Sequence, residues 1–262
     1  MTVLLIYLAV GAAAGTLAGL FGIGGGMVIV PVLIFMLQAQ GVSPDVLVHI
    51  AVATSLASIV FTSVSSVLNH HRKGSLDWKL VWIMFSGLIV GTSLGVVVVA
   101  DVPGYILENI IGVFAALLGI KMFFGLDPKQ GKTLPGKPEM ISAGAAIGFG
   151  SSWFGIGGGT FMVPYLNARG LNMLQSVAVA AACGFPIALT GALTNVVVGW
   201  ENPLLPEWSL GFVYLPAVAG IVLTSVPFAK LGVHLAHSLD QKLLKKLFAL
   251  LLMLVAIKFL AL

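Results

Sequence analysis

The sequence predicts an all-α integral membrane protein made of two inverted-topology repeats. Three observations carry that expectation. First, 59% of the 262 residues are hydrophobic and only 8% are charged, with a mean hydropathy of +1.09. A soluble domain is ~25% charged, so most of this surface must face lipid. Second, the stretch FGIGGGMVIVPVL, from Phe21, returns as FGIGGGTFMVPYL, from Phe154, with nine of its thirteen positions identical. Third, basic and acidic connections alternate along the chain, as the positive-inside rule expects.

Each element follows from length and charge. A helix crossing the hydrocarbon needs ~20 apolar residues. Runs of that length fall at 46–68, 79–100, 105–124, 175–199, 209–229 and 243–261. The runs beside the glycine breaks are shorter. After the first, residues 27–37 give only about 16 Å of helix at 1.5 Å per residue. Residues 160–170 and 140–154 flank the second. Each break therefore reads as the tip of a hairpin, 3–37 and 140–170, that enters the membrane and turns back. The first repeat is 1–124, a Gly-, Pro- and Lys-containing linker is 125–139, and the second repeat is 140–262.

The halves correspond beyond the glycines. Residues 50–68 align without gaps with 177–195, and Trp78 and Trp208 each stand ahead of the next span. GIKMF (119–123) resembles AIKFL (256–260). Gly11, Gly15 and Gly22 map onto Gly144, Gly148 and Gly155. That counterpart, and the lack of a basic segment before it, argue against reading the first apolar run as a removable leader. The connections 69–79, 125–139 and 230–246 are basic and are expected in the cytoplasm, as is that around Arg169. The connections 101–108 and 200–208 are expected outside. An odd number of crossings per half then turns the second copy upside down and leaves both termini outside.

Composition excludes several function classes. The single cysteine, Cys183, permits no internal disulfide and no cysteine metal cluster. No phosphate-loop Gly-Lys-Ser/Thr is present. Met27 and Thr160 stand where a dinucleotide fingerprint needs its third glycine. The histidines form no metal constellation. No carboxylate lies deep in a span, so an enzyme is not expected, nor is a cofactor or a nucleic-acid partner. The partners expected are membrane lipid and a small solute; oligomeric state is not legible.

The glycines point to chemistry. Inverted repeats bring corresponding parts together near the membrane midplane, where transported solutes bind. Unwound backbone is tolerated there only against protein, water or a ligand. Glycine permits the turn and lets a ligand approach the backbone. The helices that follow, starting near Met27 and Thr160, offer free N–H groups and positive dipole ends. Gly24, Gly25, Gly26 and Met27, with Gly157, Gly158, Gly159 and Thr160, are thus candidates to hold an anion. Thr54 and Ser55, followed by Ser58 and Thr62, add hydroxyls at helical spacing. Thr190, Thr194 and Asn195 do so in the second half. The competing role for the glycines is close helix packing, and for the hydroxyls bonding within or between helices. His49 is a candidate for titration. Lys121 and Lys258 are expected to snorkel from span ends.

These residues carry a family resemblance. Two halves that each open with the FGIGGG break, as GLFGIGGGMVIVPVL (19–33) and SSWFGIGGGTFMVPYL (151–166), with AVATSL at 51–56, resemble the TauE/SafE family of sulfite and organosulfonate exporters. The resemblance spans essentially the whole chain. It implies secondary transport of a small sulfur-containing anion across the cell inner membrane, as export, by alternating access and linked to protons. The residues that could carry the proton are His49 and the loop histidines His70, His71, His234 and His237, with the solute itself as the other candidate. A passive anion channel, or a carrier of a different small anion, is the alternative. The second half departs from the first: ATS is replaced by AAAC (180–183), and Pro186 is expected to interrupt that span.

Overall fold

The computed structural model describes residues 2–21, 24–125, 135–235, 249–250, 252–254, 256–257 and 260. Nine helices and one short hairpin are resolved among them. The first half gives α1 (Thr2–Phe21), α2 (Gly26–Ala39), α3 (Pro44–Arg72), α4 (Trp78–Ala100) and α5 (Gly104–Phe124). The second gives α6 (Lys137–Trp153), α7 (Gly159–Ala168), α8 (Met173–Val198), the antiparallel pair β1 (Ser209–Leu210) and β2 (Val213–Tyr214), and α9 (Leu215–Leu235). The expected span 243–261 lies largely outside the described residues, as do Lys258 and most of the linker. The protein is an all-α integral membrane protein. Among the described residues six helices are long and apolar enough to cross a membrane. Large apolar side chains such as Val90, Leu94, Leu117 and Leu223 are exposed on their outer faces, as lipid contact requires.

Three details differ from the sequence reading. α1 has 20 residues, about 30 Å at 1.5 Å per residue, and so is as long as a full span. Gly11 and Gly15 do not shorten it because they are packing positions. α8 runs unbroken through Pro186. Proline removes one internal hydrogen bond, and Pro186 itself is buried, so packing on that face holds the helix. α9 starts at Leu215 rather than near 209, because residues 209–214 turn back on themselves as β1–β2 around Gly211, at φ 54°.

Small residues decide the packing. A Cβ on Gly11 would press on Ile221, on Gly15 on Ser225, and on Gly19 on Ala229. The matching four-residue steps make α1 and α9 parallel neighbours with almost no side chain between their backbones. α4 and α6 repeat this. Gly87 meets Ile141, Gly91 meets Ala145, and Gly95 meets Phe149. Without a hydrophobic drive in lipid, such close backbone approach is what holds helices together. The first helix of each half thus packs on the fourth helix of the other half. Between these pairs lie α3 and α8. They run antiparallel: Leu56 lies against Gly191, while Ser66 and Ala181 line one cavity. α2 packs on α3 and α7 on α8.

Candidate solute site at the glycine tips

The breaks form where glycine alone fits easily. Gly24 and Gly25 have φ of 75° and 78°, and Gly155 and Gly158 have 61° and 80°. Other residues strain there. Gly25 and Gly158 stand at equivalent places, each in the left-handed conformation just ahead of its helix and without a side-chain cap. The Gly25 carbonyl accepts from the Val28 and Ile29 amides at 3.0 and 3.2 Å. The Gly158 carbonyl accepts from Phe161 and Met162 at 3.1 and 2.8 Å. The first amides of α2 and α7 have no partner within their helices.

The two tips touch. A Cβ on Gly24 would stand 3.1 Å from the Gly157 Cα, and one on Gly26 would strike the Gly155 carbonyl. α3 ties the tips together. The Ser55 hydroxyl donates to the Gly155 carbonyl at 2.8 Å, and the Ile59 side chain abuts both Gly24 and Gly157. Met27 and Thr160, equivalent by sequence, meet across the contact, with Oγ1 3.8 Å from Sδ. Gly159 is buried at the start of α7.

The other candidate residues are placed differently. The Thr54 hydroxyl accepts from the Tyr214 amide at 3.0 Å. The Asn195 carbonyl accepts from Phe212 at 3.3 Å, and its side-chain amide donates to the Gly191 carbonyl at 2.8 Å. These two residues are brought together by the β1–β2 hairpin, not by the tips. Thr194 bonds only to the Thr190 carbonyl of its own helix. Ser58 and Thr62 each donate to a carbonyl one turn back, and Thr62 also meets Ser225 at 2.8 Å. His49 contacts the Val99 carbonyl at 3.2 Å beneath the Phe212 ring. Cys183 is buried.

Among the described residues two cavities adjoin the tips. One is polar in part, lined by Gly24 and Gly157 with Ala18, Ile59, Ser63 and Ser66. The other is apolar and lies at the start of α2, between Gly26, Met27, Pro31 and the stacked rings of Phe114 and Phe154. Ser63 and Ser66 are residues the sequence reading passed over. Their signal was present, since they continue the three- and four-residue spacing of polar positions along α3. Among the described residues no cluster of His, Cys, Asp or Glu could hold a metal ion.

The family profile described as Sulfite exporter TauE/SafE matches residues 7–259. The chain belongs to this family. A TauE/SafE chain of this kind has relatives among curated membrane proteins. It is 41% identical, over 98% of its length and 97% of the relative's, to a "Probable membrane transporter protein" of Haemophilus influenzae. It is 28% identical to "Probable membrane transporter protein MJ0441" of Methanocaldococcus jannaschii, covering 90% and 87% of the two chains. It is 30% identical to "Probable membrane transporter protein YunE" of Bacillus subtilis, covering 75% and 80%. No solved structure matches. These names are those of transporters rather than enzymes, and this TauE/SafE protein is a multi-pass membrane transporter.

Proposed function

We propose that the protein is a secondary transporter that exports small sulfur-containing oxyanions, such as sulfite or organosulfonates, across the cell inner membrane. The observation that carries this reading is the backbone contact between the two tips, Gly24 against Gly157. Each tip starts a helix whose first amides are free for an anion. Anion binding by backbone avoids a buried lysine or arginine, whose cost in the membrane is several kcal/mol. The solute sits between the tips, and alternating access exposes it to one face and then the other.

The inverted repeat is part of this proposal. The antiparallel course of α3 and α8, and the exchanged pairs α1–α9 and α4–α6, support it. So does the charge of the connections, from which we infer that both termini lie outside. The test is flux of sulfite into proteoliposomes that contain the purified protein. Flux that saturates, and that is lost when Gly158 is made Leu while the protein still inserts, is expected. Unchanged flux in that variant would overturn the two-tip site.

A further inference from the structure

α3 is rich in hydroxyls, and nearly all of them are engaged. Thr54 serves Tyr214, Ser55 serves Gly155, and Ser58, Thr62, Ser63 and Ser65 each donate to a backbone carbonyl. Ser66 is different. It is 2% exposed, its Oγ has no hydrogen-bond partner among the described residues, and it does not take the carbonyl one turn back as its neighbours do. It lines the cavity that reaches Gly24 and Gly157. Thr92, Ser151 and Ser176 also bury hydroxyls with no partner among the described residues; Ser151 stands 3.7 Å from the Cβ position of Gly158, but none of the three is among the lining residues of the two tip cavities.

A third cavity begins one turn further along the same helix. It is a cleft lined by Asn69, Lys73, Pro227, Lys230, Leu231 and His234. No carboxylate is among its described lining residues. Lys73 reaches across it to the Val233 carbonyl at 3.4 Å. Ser63, Ser66, Asn69 and Lys73 recur at three- and four-residue steps, so they share one face of α3. Ser66 and Lys73 are about 10 Å apart along the axis at 1.5 Å per residue. Across this face, α8 presents only Ala181 and Gly184 to the tip cavity. The aligned positions on α8 are Thr190 and Leu193, and Leu193 is exposed. Among the described residues the polar side chains that line the tip cavity, Ser63 and Ser66, therefore both come from α3, while Thr190, Thr194 and Asn195 of α8 do not line it.

We propose that Ser66, backed by Ser63, contacts the transported anion on a route that joins the tip cavity to the basic cleft at the cytoplasmic ends of α3 and α9. The proposal rests on the two-tip reading for the identity of the solute but not for the existence of the route. An anion gathered by Lys73, Lys230 and His234 meets the Ser66 hydroxyl next, and then the glycine backbone. The free O–H donor is what an oxyanion needs at a point where no cation is present.

The route is tested with Ser66→Cys in a Cys183→Ala background. A negatively charged methanethiosulfonate reagent is applied to oriented membrane vesicles from one face at a time. Ser66→Cys is expected to label at least tenfold faster from the face that bears the basic connections. Ser58→Cys, whose parent hydroxyl bonds within the helix, is expected to stay unlabelled. No labelling of Ser66→Cys, or faster labelling from the other face, would overturn the proposal. Sulfoacetate, an organosulfonate that does not react with the reagent as sulfite does, supports both readings if it slows the labelling. Labelling that sulfoacetate leaves unchanged keeps the route and removes the organosulfonate as its solute. Ser66→Ala supplies an independent check. Removing an unpartnered buried hydroxyl leaves stability unchanged or raises it, whereas half-saturation by the transported anion rises at least tenfold. A lowered thermal midpoint with unchanged half-saturation would make Ser66 structural and refute its role.

Discussion

Gly25→Ala tests whether contact between the tip and its surroundings, or merely a special backbone angle, is what matters. Gly25 has φ 78°. Alanine there incurs about 1–2 kcal/mol of left-handed strain. A Cβ at Gly25 would also stand 2.6 Å from the Ala14 carbonyl oxygen and 2.9 Å from the Ala14 carbonyl carbon and Cβ. A carbon–oxygen contact relaxes to about 3.3 Å or more. The tip must therefore move by about 0.7 Å away from α1, which adds overpacking of about 1–3 kcal/mol. Gly41 is the matched control. It has φ 79°, and a Cβ there meets nothing within 4 Å. Gly41→Ala carries the strain alone. The thermal midpoint of the purified protein should fall in both variants and fall further in Gly25→Ala. Solute flux in proteoliposomes should drop at least tenfold in Gly25→Ala and stay near wild type in Gly41→Ala. Equal midpoints and equal flux in the two variants would refute the argument that the tip is fixed by its packing.

Other perturbations separate other contacts. Thr54→Val leaves the Tyr214 amide without its acceptor, which costs about 1–3 kcal/mol for a buried group; hydrogen exchange should speed up in residues 209–214 and not in α3. Gly15→Leu and Gly91→Leu each force a side chain onto backbone that already lies within 2.8 Å of a Cβ position. Both should cost toward the upper end of ~1–3 kcal/mol, read as loss of monodisperse protein after solubilisation. Glu139 pairs with Arg169 across the base of the second hairpin, but both side chains are nearly half exposed. Glu139→Gln should therefore change stability by no more than about 1 kcal/mol, measured as the shift in thermal midpoint.

The sequence made the helices legible where hydropathy alone decides them. α4 and α5 begin and end within a residue of the expected runs, because charged or proline-bearing loops bound them. α9 was harder. The stretch SLGFVY is apolar enough to join a span, and nothing local shows that Trp208, at φ 67°, and Gly211 turn it back onto α3 and α8. The glycines of α1 and α6 could be seen to correspond, but not to face α9 and α4. A small residue announces a close neighbour without saying which one. The approach of the two tips follows from the inverted-repeat reading. The use of each hydroxyl does not. Thr54 and Ser66 are both buried polar residues on one helix, and only three-dimensional placement distinguishes the one that holds a backbone amide from the one that holds nothing.

The exchanged packing constrains how such a site can work. α1 belongs to the first half by sequence, yet it is fixed to α9 of the second. α6 belongs to the second half, yet it is fixed to α4 of the first. The units that pack tightly are therefore α1 with α9 and α3, and α6 with α4 and α8, each drawn from both halves. Within a unit, backbones meet glycine to backbone, and any shift of the helices drives atoms into contact. Between units the main contacts are α3 with α8 and the approach of the tips, Gly24 to Gly157 and Gly26 to Gly155. There the partners at the tips are glycine, alanine and a single Ile59 side chain, and a Cβ on Gly26 would strike the Gly155 carbonyl. The alternating access proposed above requires the two units to separate at this seam. The tips lie on it, the Ser55 bond to Gly155 crosses it, and the Ser66 cavity borders it. A solute that enters there acts on the contact between the units rather than on either unit alone.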